Sequence, residues 1–508
     1  DLYDGTAWVT DIAPPISGDQ GDQWIQETVD LSNWIGQTVV IRFRGITGGD
    51  FTSDMALDQI AILDVAAPPV VSFVADPPAG CLGDVVTLVD LSQNLPTAWS
   101  WDIQPATGVN YVNGTSSSSA TPQVVFTQAG TYSVALTASN MFGGSTVTQP
   151  SAVQQVDGVG LAMAVTTDRY GSETTWTVTG GTSTYASGGP YATVSASGAY
   201  PQDTVLFCVP GGTCMDLTVY DSFGDGMCCA YGAGGYQLLT LTGDTLVNGD
   251  GQFTTVRTDN FCAPYNLRLQ LRAWLEGAHL AGSTLMRDDL RASGLIPLVS
   301  PYPALGFIGA EDATISPSVL ATTGPDAIVD WVLIELRDPA SPSTIVRTAG
   351  ALLQRDGDVV ATDGISPVTI LGDAASYLVA IRHRNHLGAM LLNAVPLGGA
   401  TAVLDLTDGS VPMWGSGALN DLNGTWALAS GNVVVDGTMK YTGIDNDRDP
   451  ILQAIGGAVP TNTVTGYSNA DLNMDGIVQY AGVGNDRDII LDNIGGSLPT
   501  AVRPEQLP

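Results

Sequence analysis

Asp471, Asn473 and Asp475 place side-chain oxygens at alternate residues of Asp471-Leu-Asn-Met-Asp-Gly476. Gly476 follows where a sharp turn is needed. This is the spacing of positions 1, 3, 5 and 6 of an EF-hand-type loop, and the Ile477 carbonyl falls at position 7. A hard cation such as calcium takes about six to eight oxygens, and the pattern wraps the first several around one point. Position 12 is Gly482, which has no side chain to offer, so the missing carboxylate is Asp486 or Asp488. The competing reading is an Asx-rich turn in which Asp488 only caps a helix.

The unit occurs twice. Asp436-Gly437 lies 39 residues before Asp475-Gly476, and Asn446-Asp447-Arg448-Asp449 matches Asn485-Asp486-Arg487-Asp488. Each copy continues into a short helix signal, Pro450–Ile455 and Ile489–Ile494, closed by Gly-Gly. Asp449 before Pro450 reads as an N-cap and N1 pair, with Gly456 at C′. Val434 stands where the second copy has Asn473, so the first site, with Asp436, Asp447 and Asp449, is the weaker one. This tandem loop–helix arrangement resembles a dockerin, which implies a small module folded by calcium. The inserted Asn-Asp-Arg-Asp segment departs from that family, so its partner binding is not carried over.

A second acidic constellation lies upstream. Asp168-Arg-Tyr-Gly-Ser-Glu173 and Asp221-Ser-Phe-Gly-Asp225-Gly both follow strand-like segments. Asp168, Glu173, Asp221 and Asp225 either converge on another calcium or are polar hairpin loops. Five of the six cysteines share this region: Cys208, Cys214, Cys228, Cys229 and Cys262. Their concentration, with no CxxC pair, reads as disulfides in an oxidising compartment. Zinc is the weaker alternative, because the spacing is wrong and no histidine is near. The expected bridges are Cys208–Cys214 and Cys262 with Cys228 or Cys229; the odd thiol is left over or meets Cys81.

Catalysis finds little support. There is no HExxH, no GxSxG elbow, no phosphate loop and no GxGxxG before a helix. His383 and His386 could share a metal only if strand alternation, which sends i and i+3 to opposite faces, is broken. Carboxylate pairs say nothing in a chain with 51 acidic residues against 17 basic ones.

The elements that must carry these groups are mainly β. Sixty glycines and 29 prolines, with 13% charged residues, suit many turns, and 508 residues suit several cores. A net charge of −34 argues against nucleic acid or an anionic membrane as partner. No apolar run approaches the roughly 18 residues of a spanning helix.

Five segments follow. Residues 1–65, with Gln37–Arg44 and Met55–Ile62 as strands, resemble half of a MAM-type jelly roll. On that reading residue 1 falls inside a domain and the chain is a fragment or processed product. Asp54 and Asp58 read there as a turn and a strand-edge carboxylate, with a metal pair as the weaker alternative, and Trp8, Trp24 and Trp34 are core or sugar-stacking residues. Residues 70–156 alternate around Trp99-Ser-Trp-Asp102 and Gly130–Asn140, and resemble a polycystic-kidney-disease (PKD) domain, which implies an Ig-like sandwich. Residues 157–263 resemble a Cys-rich β-module that follows PKD repeats in secreted Bacteroidota proteins. Residues 264–410 are a further sandwich, with alternating strands at Leu267–Leu275, Val329–Arg337 and Ala375–His383. With the duplicated tail, 411–508, they resemble the C-terminal module of very large adhesin- or hemagglutinin-like surface proteins.

The fold expected is therefore mainly β, tandem jelly-roll-like and Ig-like sandwiches ending in a small dockerin-like calcium module that contains the helices. The function expected is a non-catalytic structural or adhesive part of a larger secreted or cell-surface assembly, held by calcium and disulfides. The alternative is the non-catalytic tail of a secreted hydrolase, with carbohydrate binding as a further role. Partners would be upstream domains of the same polypeptide, neighbouring subunits, glycans or other surface proteins.

Overall fold

The computed structural model describes residues 1–17, 25, 27–46, 56–61 and 67–508. At the N-terminus, Leu2–Tyr3 pairs antiparallel with Trp8–Val9 on one side and Val40–Ile41 on the other. The strand expected over 37–44 is thus trimmed to two residues. Residues 56–61 join no strand, and Met55 and Ile62 lie outside the described residues. With so little sheet to cover them, Ile35 and Ile46 are about three-quarters exposed. Trp24 and Asp54 also lie outside the described residues, and the Asp58 carboxylate accepts the Gln59 N–H as a turn residue.

Residues 70–156 form two four-stranded sheets. One runs Phe73–Asp76, Val85–Asp90, Gln123–Phe126, Val109–Val112; the other Ala79–Cys81, Gly143–Val156, Gly130–Asn140, Ala98–Gln104. Inward alternation along Gly130–Asn140 buries Tyr132, Val134, Leu136 and Ala138 against Trp101 and Phe73. Trp101 meets Phe73 edge to face at 5.2 Å, and its indole N–H donates to the Ser119 carbonyl. The Tyr132 hydroxyl reaches back to the Gln128 carbonyl at 2.7 Å, an anchor typical of Ig-like sandwiches.

One residue, Asp157, separates this domain from Gly158–Thr167, the central strand of the Cys-rich module. Its two sheets enclose Trp176, Leu161, Met163 and Leu217. Next, a nine-stranded sheet built on Tyr265–Arg272, Ile328–Asp338, Ser341–Gln354 and Ala375–Arg382 encloses a core around Trp331 and Leu269. That core also takes in Leu419, Leu428 and Met474, so the sandwich and the segment beyond 411 share apolar packing.

The rest of the tail has three two-stranded ribbons and two helices, Arg448–Ala454 and Asp486–Asn493. Their apolar faces (Ile451, Ile455, Ile490, Ile494) close a small core with Leu472, Val478 and Leu387. Among the described residues no helix is long and apolar enough to cross a membrane.

Candidate metal centre

The Cys-rich module brings three of its four predicted acids together. Strand Cys214–Asp221 pairs antiparallel with Thr174–Gly180, and Thr174 faces Asp221 across the ladder. Glu173, one residue before Thr174 in a single 3-10 turn, therefore arrives beside Asp221. The Ser222 N–H donates to the Glu173 carbonyl at 3.0 Å, fixing the two chain ends together. Asp221 is 3% exposed, and one oxygen accepts the Gly224 N–H, which curls the following turn. Gly226 takes φ +77° and a Cβ there would lie 2.5 Å from the Phe253 carbonyl, so only glycine lets the turn close. Asp225 is thereby returned to the site, and ligand oxygens of Glu173, Asp221 and Asp225 all lie within 4.8 Å of one another.

Asp168, nearly buried, accepts the Tyr170 N–H at 2.8 Å. Burial, and then the charges of Asp225 and Asp221, push its carboxyl upward. Burial also raises Glu173, followed by repulsion from Asp221, Asp225 and Asp168. None of the four has a Lys, Arg or His ion-pair partner among the described residues. Carboxylates crowded in this way suit a hard divalent cation.

All six cysteines are paired, but not as the spacing suggested. Cys214 bonds Cys262, Cys228 bonds its neighbour Cys229, and Cys208 bonds Cys81 of the preceding domain. The correction has a simple cause. Cys214 and Cys262 are direct partners in the antiparallel register, which leaves no Cys262 for the 228–229 pair. Cys208 sits on Val205–Pro210, which lies against Ala79–Cys81 rather than folding back on Cys214. The Cys228–Cys229 bridge lies in the loop that follows Asp225.

The tail acids are placed differently. The dockerin resemblance implies calcium here, and the hydrogen bonds test the fit. Asp486 is buried and points into the loop: one oxygen accepts the Leu472 and Asn473 N–H groups, the other the Gln479 N–H at 2.7 Å. Asp471 accepts from Gly476 at 2.9 Å and from Asp475. The Asn473 amide nitrogen donates to Asp475 and to the Gly484 carbonyl, so an N–H donor lies among the oxygens. Ile477 opens the ribbon strand paired with Thr463–Thr465. Asp488 lies outward, bonded to Arg487 and Asn485.

In the first copy Asp447 repeats the Asp486 pattern with Val434 and Lys440 N–H groups. Asp436 accepts the Thr438 N–H and pairs with Lys440, and Asp449 pairs with Arg448. The helix-starting side chains are Asn446 and Asn485, which accept the Asp449 and Asp488 N–H groups at 3.0 Å. Neither Asp449 nor Asp488 is the cap.

Sequence reasoning missed a buried network where the sandwich meets the tail. The strand ends at Arg382, so alternation no longer separates His383 from His386, and their Nδ1 atoms approach to 2.9 Å. Gly277 N–H donates to His386 Nε2, which leaves the His386 proton on Nδ1, facing His383 and Asn385. His383 Nε2 in turn faces Asp330 at 3.1 Å. Asp330 also binds Arg384 at 2.8 Å and the Tyr467 hydroxyl at 2.7 Å, while Arg384 reaches the Ser468 carbonyl. Burial lowers both histidines; for Asp330, Arg384 and His383 overcome burial and hold the carboxyl down to about 2. The only signal was the polar run Arg382-His-Arg-Asn-His386 at a strand end.

Residues 71–153 match the PKD domain family. No curated protein matches the chain. Among solved structures, domains A168–A170 from titin share 10% identity over 66% of this chain and 97% of that one, at a TM-score of 0.14. Cadherin domains 3–6 of protocadherin gamma B2 share 9% over 67% and 76%, at 0.12. At such TM-scores neither likeness carries an argument.

Proposed function

We propose that this chain is a non-catalytic structural segment of a secreted or cell-surface protein, a row of β-domains that holds a spacing and presents surfaces for adhesion. The observation that carries the reading is the Cys81–Cys208 bridge, which spans 127 residues and ties the PKD domain to the next module. It joins two domains already continuous through Asp157, and such a bond belongs to an oxidising compartment. Arg268 adds an ion pair from the 264–410 sandwich to Asp157, and Asn266 donates to the Gly158 carbonyl at 2.6 Å. Successive domains are thus stapled at their junctions, which suits a spacer. The MAM-like, dockerin-like and adhesin-like resemblances of the sequence support the same setting.

Calcium is part of this proposal at one place, the Glu173–Asp221–Asp225 cluster with Asp168. There a cation would hold the loop end of the Cys-rich module, a stabilising role and not a catalytic one. The proposal is tested on protein taken from its natural host. Non-reducing peptide mapping should recover the Cys81–Cys208 cross-link, and surface protease treatment of intact cells should release the chain. Six free thiols, or full protection inside the cell, would overturn the reading.

A further inference from the structure

We infer that the duplicated tail is organised around carboxylates in place of cations: Asp447 and Asp486 fill the centres of its two loops, and the tail folds without calcium. The argument begins with direction. In a cation-centred loop, oxygens point inward. Here backbone N–H groups point inward, at Leu472, Asn473 and Gln479 in the second copy and at Val434 and Lys440 in the first. An array of N–H dipoles attracts an anion and repels a cation. The anion it holds is a side chain of the same loop–helix unit.

Comparing the two copies separates what the fold requires from what it tolerates. Val434 and Asn473 occupy the same place, and only one could ligate a metal. Both nonetheless donate their N–H to the equivalent aspartate, at 3.0 and 3.2 Å. Lys440 and Gln479 do likewise at 2.8 and 2.7 Å. The clip is thus present in both units, and the ligand set in one. Within the second loop the Asn473 amide nitrogen lies between Asp475 and the Gly484 carbonyl, where a cation would need oxygen. Asp471 itself accepts the Gly476 and Asp475 N–H groups, so the same inward N–H donors reach both buried acids of this loop.

The test uses the full chain with Asp221→Asn and Asp225→Asn, which silences the other cluster, and reads amide hydrogen exchange by mass spectrometry. Peptides covering 432–449 and 471–488 should exchange at the same rate, within a factor of about two, in millimolar calcium and in excess chelator. Asp486→Asn removes an anionic acceptor and should speed exchange over 471–480 by about tenfold or more. Calcium protection of 471–488 by tenfold or more, lost in Asp475→Asn, would overturn the inference, as would unchanged exchange in Asp486→Asn. Should Asp486→Asn fail to fold, failure that calcium does not rescue supports the clip, and rescue by calcium overturns it.

Discussion

The acidic loops of the Cys-rich module and of the tail are built from the same residue types, and their surroundings oppose each other. Glu173, Asp221 and Asp225 converge within 4.8 Å of one another, and burial, then the charges of its neighbours, raises Glu173. Asp447 and Asp486 face N–H donors. The number of acids in a loop, and even their spacing, therefore does not fix its chemistry. What the remaining lone pairs point at does.

The largest effect expected from this contrast is in the tail. Asp486→Ala strands the buried Leu472 N–H and the part-buried Asn473 and Gln479 N–H groups, which should cost about 3 kcal/mol locally. Asp447→Ala strands two and should cost about 2 kcal/mol. The readout is the denaturant midpoint of tail peptides followed by hydrogen exchange, since a chain of several cores has no single unfolding free energy. Equal, small losses for both variants would break the contrast.

The inter-domain bridge comes next. Replacing Cys81 and Cys208 by alanine should lower the stability of the joined pair by about 2–4 kcal/mol in the loop-entropy view. The PKD domain should then melt separately from residues 157–263 by calorimetry. A single unchanged transition would show that the Asp157 junction suffices.

How far the sequence already told this can be seen from particular residues. Period-2 alternation placed Tyr132, Leu136 and Trp101 in a sandwich core, because alternation is a local property of a strand. Asp168, Glu173, Asp221 and Asp225 were named together from acidic turns near strand ends, and the ladder that faces Thr174 with Asp221 brings three of them, Glu173, Asp221 and Asp225, within 4.8 Å. That the cysteines form disulfides was legible, but their pairing was not, since Cys208 answers to Cys81 in another domain and strand register decided Cys214. Asp486 was named, yet its direction depends on a loop fourteen residues away folding over it. His383 and His386 were set aside on a strand period that ends one residue too early. The Asp330 side of that network lies more than fifty residues off, where no local pattern reaches.

Calcium itself should act on one region only. With free calcium at about a hundred times the dissociation constant, the Cys-rich module should gain about 2.7 kcal/mol. Asp221→Asn should abolish that gain, and tail peptides should not respond. Isothermal titration and domain-resolved melting check both halves. Stabilisation of the tail, or none of the module, would reverse the assignment.

The smallest and sharpest effect is the sign of the pH dependence. Burial, with neighbouring charges, raises Asp168 and Glu173 above their usual values. Groups raised in the fold take up protons before the unfolded chain does, so their contribution is full at low pH and is lost as pH rises through the folded value. Without calcium, the Cys-rich module should therefore become more stable as pH falls from 7 toward 5. With calcium the slope should invert, because protons then compete with the cation for the same oxygens. In the tail, burial outweighs the N–H donors and raises Asp447 to about 6 and Asp486, with the Asp471 charge adding to it, to about 7, which gives the same sign as the calcium-free module. His383 and His386 oppose it: lowered in the fold, they contribute above the unfolded histidine value of about 6.5 and lose that contribution as pH falls below it. Their share is isolated by the imidazole C2–H signals, which should not shift down to pH values where the unfolded histidines are protonated. Calcium should leave the tail slope as it is. An inverted slope in the tail on adding calcium would mean that its loops, too, hold a cation.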